Sequence, residues 1–241
     1  MAKHKTECYP ASYLAECIAT FVFVFIGAGA ILSASYFNNF DGVAIAAAHG
    51  FTIFIMVAAT ANVSGGHINP AVTWAMMLRG VFTKDFSILN GVIYILAQVV
   101  GGALGVSALS VLMYFVPGGK EAAAAVNYGT PGLAANLDPW GGFFLEMIFG
   151  FILVFVILRT AVEQKLSWAP FAIGMTVFVL ALSGGSYTGA AMNTARWFGP
   201  ALISGTWDNA WVYTFAPMVG AIFAVIANVF ISFKKSNISP E

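Results

Sequence analysis

The chain has 241 residues, 60% of them hydrophobic and only 8% charged, with ten Lys and Arg balancing ten Asp and Glu. A soluble domain carries roughly 25% charged residues, so this composition excludes a water-covered surface and makes lipid the solvent for most of the chain. Two cysteines, Cys8 and Cys17, are too few and too poorly placed for a disulfide framework, and no nucleic-acid partner is implied.

A bilayer core needs about 20 apolar residues per helix, and six stretches meet that length: near 11–33, 43–62, 88–115, 140–161, 168–185 and 210–233. The first is long enough to remain as a spanning helix rather than be cleaved as a signal peptide. It carries Glu16, expensive in lipid unless paired, and Cys17, read as a small apolar filler. The second span contains His49. Residues 63–80 follow, too short and too broken by Gly65, Gly66 and Pro70 to cross the membrane. After the third span comes a loop over 116–139, and the fourth span carries Glu146. The segment RTAVEQKL at 159–166 reads as a short loop without His, hence without a proton sensor. Residues 186–205 form a second interrupted segment before the sixth span, and the tail KKSNISPE carries Ser236 and Ser239 as conceivable phosphorylation sites on a disordered terminus.

With six spans both termini lie on one side. Lys3, Lys5, Arg79, Lys84, Arg159, Lys165, Lys234 and Lys235 fall on that side, eight of the ten cations. The positive-inside rule makes it cytosolic; which membrane is involved stays open.

The chain repeats itself. AECIATFVFVFI from Ala15 aligns with LEMIFGFILVFV from Leu145, pairing Glu16 with Glu146. SGGHINPAV from Ser64 parallels TGAAMNTAR from Thr188, and QVVGGALG from Gln98 parallels PMVGAIFA from Pro217. Each half holds three spans, so the halves insert in opposite directions, an inverted repeat of the kind common in transporters and channels. The fold class expected is an all-α membrane protein with six transmembrane helices and two re-entrant half-helices. It forms one domain over 1–241, with halves at about 11–115 and 140–233. Gly101 and Gly105, four apart, allow close helix approach.

In each interrupted segment a Gly-rich extended stretch precedes an Asn, and a short helical run follows. Asn is a favoured N-cap, and Pro70 at the first helical position lacks only a hydrogen that would go unpaired. Irregular backbone at membrane depth is tolerated only where it is buried or lines a wet cavity. Asn69 and Asn193 are therefore expected to meet near the midplane at a pore constriction formed by Asn69, Pro70, Ala71 and Asn193, Thr194, Ala195. Their amides are donors, and the carbonyls of the stretches Gly65, Gly66, His67, Ile68 and Ala191, Met192 are acceptors for a passing neutral solute. Two helix N-termini, each about half a positive charge, oppose a cation at about 4 Å by some 4 kcal/mol at an effective dielectric of about 20. A donor-only centre also passes no proton onward.

With SGGHINPAVT, TGAAMNTARWFGPA and the Glu-bearing first and fourth spans, the sequence resembles the aquaporin (major intrinsic protein) family along nearly its whole length. AAAHGFTIFIMVAATANVSGGHINPAVT is most similar to the tonoplast-type members of plants. The resemblance implies a homotetramer in membrane lipid, each protomer with its own pore. It also implies a selectivity filter of His49, Ala181, Ala190 and Arg196, with Glu16 and Glu146 anchoring the loop of their own half. His67, with no Cys or His ligands beside it, is read as orienting the first loop rather than binding metal. Taken alone, His49 reads as a satisfied core histidine, and a proton relay is the alternative role for the two glutamates. Ala181 and Ala190 are small, so the filter should be wider than in strict water channels.

Three positions depart from the family pattern. Thr194 stands where Pro is expected, leaving function unchanged or shifting Asn193. Trp197 follows Arg196, either to buttress it or to crowd the mouth. Thr214 occupies a site that is often aromatic. The function expected is a passive channel for water, open to ammonia, urea or glycerol and closed to protons and ions. The alternatives are a broad neutral-solute facilitator, a coupled transporter, which would need titratable groups at the midplane, and a non-conducting structural member. No nucleophile, base and orienter are spaced for an enzyme, and no cofactor or metal is implied.

Overall fold

The computed structural model describes residues 9–39 and 41–236, with side chains up to residue 232. Lys3, Lys5, Cys8 and Ser239 lie outside the described residues, as do the side chains of Lys234, Lys235 and Ser236. Helix α1 (Pro10–Tyr36) leads through a short turn to α2 (Gly42–Ser64). A half-helix α3 (Pro70–Thr83) precedes α4 (Ile88–Tyr114), and the connecting segment holds a short α5 (Gly119–Ala125). The second half repeats the order with α6 (Pro139–Ile157), α7 (Ala169–Thr188), half-helix α8 (Thr194–Ser204) and α9 (Ala210–Ser236). Six of these helices are long and apolar enough to cross a membrane, and the chain is an integral, multi-pass membrane protein.

Local chemistry accounts for the boundaries. Asp41 accepts the amides of Val43 and Ala44 at the start of α2, Ser87 that of Asn90 at α4, and Asp138 that of Trp140 at α6. Side-chain oxygens at N-caps satisfy donors that have no partner within the helix. Helices α2, α7 and α8 each end on a glycine in the left-handed region, at Gly65, Gly189 and Gly205, where a side chain would be strained.

The halves interlock. α1 packs on α4 and α6 on α9, while α2 and α7 meet across the axis that relates the halves. At that crossing a Cβ on Gly50 would lie 2.7 Å from the carbonyl oxygen of Gly174, and one on Gly174 would lie 2.6 Å from that of Gly50. A Cβ on Gly101 would overlap the carbonyl of Cys17, and one on Gly220 that of Met147. Each half-helix lies largely against the other half, α3 against α9 and α8 against α4.

The segment read as a loop at 159–166 is in part helical. A π-turn over Leu158–Glu163 extends α6. Arg159 donates to Asn228 Oδ1 and Ser232 Oγ, and Asn228 donates to Glu163. These bonds to α9 supply the partners that hold the extra turn. At the end of α3, Arg79 pairs with Asp85. Partial burial pushes the Asp85 carboxyl up, but hydrogen bonds from Thr83 and Arg79 outweigh it and hold it below the usual carboxylate range.

Candidate functional site

Both interrupted segments fold back to the middle of the bundle with one backbone pattern. Gly65, Gly66 and Ile68 have positive φ in the first, and Gly189, Ala190 and Met192 in the second. This winding turns successive amides toward a buried carboxylate. Glu16, with no exposed surface, accepts from the backbone N–H of His67 at 2.9 Å and of Ile68 at 2.6 Å, from Ser64 Oγ at 2.6 Å and from Gln98 Nε2 at 2.8 Å. Glu146, equally buried, accepts from Ala191 N at 2.9 Å, Met192 N at 2.7 Å and Thr188 Oγ1 at 2.6 Å.

Asn69 and Asn193 are the N-caps of α3 and α8. Asn69 Oδ1 accepts from Ala71 N, and Asn193 Oδ1 accepts from Ala195 N and Arg196 N. Their amide nitrogens cross over. Asn69 Nδ2 donates to Met192 O at 2.8 Å, and Asn193 Nδ2 donates to Ile68 O at 2.9 Å. An amide nitrogen carries two hydrogens, so each Asn keeps one at the wall of the central cavity. The carbonyls of Ile68 and Met192, expected to serve a solute, already accept from these amides.

That cavity has a volume of about 920 Å³. It extends from Asp41 and Thr130, at the end away from the chain termini, to Ile157 and Ile173 near the end that carries them. His49, Gly66, His67, Asn69, Ala181, Ala190, Ala191, Met192, Asn193 and Arg196 line it. Gly65, Ile68, Pro70, Ala71, Thr194, Ala195, Glu16 and Glu146 do not line it. One side is apolar, formed by Ile53, Val57, Leu153 and Val177.

Toward the end away from the termini, Arg196 is buried to 3% exposure. It donates from Nη1 to Gly129 O at 2.8 Å, and Nη2 lies 3.1 Å from His49 Nε2. His49 Nδ1 faces Ile45 O at 2.8 Å. A carbonyl only accepts, so the proton sits on Nδ1 and Nε2 accepts from the arginine. Arg196 Nε has no partner among the described residues and remains a donor. The ring of His49 occupies space left by Gly27, where a Cβ would lie 2.6 Å from Nε2. The carbonyl of Gly129 is turned inward by positive φ at Asn127, Tyr128 and Gly129.

The pattern of the major intrinsic protein family matches residues 3–228. The chain belongs to that family. It is 38% identical over 224 residues to Aquaporin TIP1-2 of Musa acuminata, covering 88% of this chain and 83% of that one. It is 40% identical over 222 residues to Probable aquaporin TIP2-2 of Oryza sativa subsp. japonica, covering 87% and 82%. These relatives are aquaporins of the tonoplast type that the motifs resemble, and the family is one of channels rather than enzymes. The solved aquaglyceroporin of Plasmodium falciparum shares the fold, with a TM-score of 0.78 at 23% identity over 91% of this chain and 95% of that one.

Two residues escaped the sequence reading. Tyr94 donates its hydroxyl to Ser64 O at 3.0 Å and Tyr213 donates to Thr188 O at 2.9 Å, one tyrosine pinning each loop. The signal was present, since both stand four residues before the aligned Gln98 and Pro217. Trp197 does not line the cavity. It stacks on Tyr213, with centroids 5.7 Å apart, behind the second loop. Thr214 is half-buried on α9 and does not line the cavity.

Proposed function

We propose that this chain is a passive channel for water, with the cavity as its path. The observation that carries the reading is the crossed pair Asn69 and Asn193. Two half-helix N-termini face one another there, each with a spare amide hydrogen beside an apolar wall. A water leaving bulk exchanges its hydrogen bonds for these donors and for carbonyls, at little net change. Both helix dipoles and Arg196 oppose a cation. Asn cannot titrate, which argues against a coupled transporter. Glu16 and Glu146 are consumed by backbone donors away from the wall, which favours anchoring over proton relay.

In this reading Asn69 and Asn193 make the constriction, held in place by Pro70, Ala71, Thr194 and Ala195 in the first turns of their half-helices, while His49, Ala181, Ala190 and Arg196 make the filter. The carbonyls of the two loops complete the path. His49 acts chiefly by orienting Arg196, because both of its ring nitrogens are engaged. With methyl groups at 181 and 190, the filter supports a second reading in which urea, glycerol or ammonia also pass. We place both termini in the cytosol on the strength of the cation bias. The whole chain, 1–241, acts as one channel unit, assembled as a homotetramer in lipid.

Stopped-flow light scattering on proteoliposomes tests this. Shrinkage in an impermeant osmolyte should be fast, with a low activation energy, and Arg196→Ala should let in solutes that the parent filter rejects. Re-swelling in urea or glycerol would favour the broad filter. Permeability equal to that of empty vesicles, with the protein verified as folded, would sink the channel reading and leave the non-conducting one.

A further inference from the structure

Helix α9 carries Pro217 in its interior. Proline has no N–H, so the carbonyl four residues earlier, that of Tyr213, loses its donor in the helix. Tyr213 has no exposed surface, so water cannot replace the donor, and a buried carbonyl without a partner is costly. The Thr194 hydroxyl stands 3.1 Å from this oxygen and donates to it. The first half exchanges the two roles. There Pro70, without a hydroxyl, holds the first position of its half-helix, and Gln98 takes the place of Pro217 with its N–H available to the helix.

We infer that Thr194 is a positioning residue whose hydroxyl substitutes for the helical donor that Pro217 lacks. Tyr213 thereby grips the second loop at both ends. Its carbonyl takes the Thr194 hydroxyl at the start of α8, and its phenol donates to Thr188 O at the end of α7. Ala190 and Asn193 lie between those two points. The departure from Asn-Pro-Ala is therefore a compensation. Proline at both 194 and 217 would leave the Tyr213 carbonyl without a donor, so restoring the family motif should harm this chain. The functional part rests on the channel reading.

The test is a double-mutant cycle read in two ways: thermal unfolding in detergent, and the ratio of urea to water permeability in proteoliposomes. Thr194→Val keeps the shape and removes the donor. It should lower Tm by about 2–8 °C and change the ratio by roughly threefold. Thr194→Ser should stay near the parent in both, and Thr194→Pro should be at least as harmful as Thr194→Val. Pro217→Ala returns a helical N–H, and on that background Thr194→Val should have little effect. A Thr194→Val protein equal to the parent, or equally damaged with and without Pro217, would overturn the inference. A parent without permeability would overturn the channel reading and the positioning role with it, while the Tm cycle would still decide the hydrogen bond.

Discussion

The loops at 64–69 and 188–193 share a backbone and differ in what stands behind it. Each has three positive φ angles at matching positions, a buried glutamate under two successive amides, and a tyrosine hydroxyl on the carbonyl that opens it. Behind the first loop the packing is polar. Gln98 donates to Glu16 and to Thr73, and the ring of His67 meets Thr73 at 3.1 Å. Behind the second it is aromatic, with Trp197 in the position of Thr73, stacked on Tyr213 and edge-on to Trp207. The repeat retains the bonds to buried backbone groups, because an unpaired N–H is costly in any surroundings. Remaining space can be filled by a satisfied polar network or by rings.

Three measurements would break or sharpen this comparison. The largest effect is expected at the glutamates. Glu146→Gln turns an amide NH2 toward backbone donors and should cost about 2–4 kcal/mol. Glu16→Gln should cost about half of that, because Gln98 Oε1, without a partner among the described residues, can turn over to accept the new hydrogens. Equal losses of Tm in the two proteins would remove Gln98 from the account. A smaller and symmetric effect is expected where the helices touch. Gly101→Ala and Gly220→Ala, each driving a methyl into a carbonyl, should each cost about 1–3 kcal/mol. One tolerated and one not, in chemical denaturation or thermal melts, would show that the halves pack unequally. The smallest effect is at Ala190, whose φ of 43° matches Gly66 in the first loop. Ala190→Gly should raise Tm by about 1–2 °C, relieving left-handed strain of about 1–2 kcal/mol against a more flexible unfolded chain. It should also speed urea entry. A lower Tm would mean that the alanine methyl contributes more by packing than it loses in strain.

The spans were legible because hydropathy reports burial in lipid whatever the partner, and the half-helices because Gly65, Gly66 and Pro70 interrupt an otherwise apolar run. The two Asn caps were legible for the same local reason. What the Asn amides do with their second function was not, since the acceptors lie 123 and 125 residues away. Trp197 was ambiguous because one residue after Arg196 a side chain can face the pore or the bundle, and only the placement of Tyr213 and Trp207 decides. Thr194 looked like a lapse from a motif, while its partner, Pro217, entered only as the start of an aligned repeat. Each makes sense through the carbonyl of a third residue, and no local pattern contains that.

The crossed asparagines also constrain how the protein is made. Ile68 and Asn69 leave the ribosome more than 120 residues before Met192 and Asn193. At about 5–20 residues per second, that interval is roughly 6–25 s. Until it ends, the first loop sits at membrane depth with an amide and a carbonyl whose partners have not been synthesised. Water or the insertion machinery must serve those groups in the meantime, so the central constriction is among the last parts of the molecule to close.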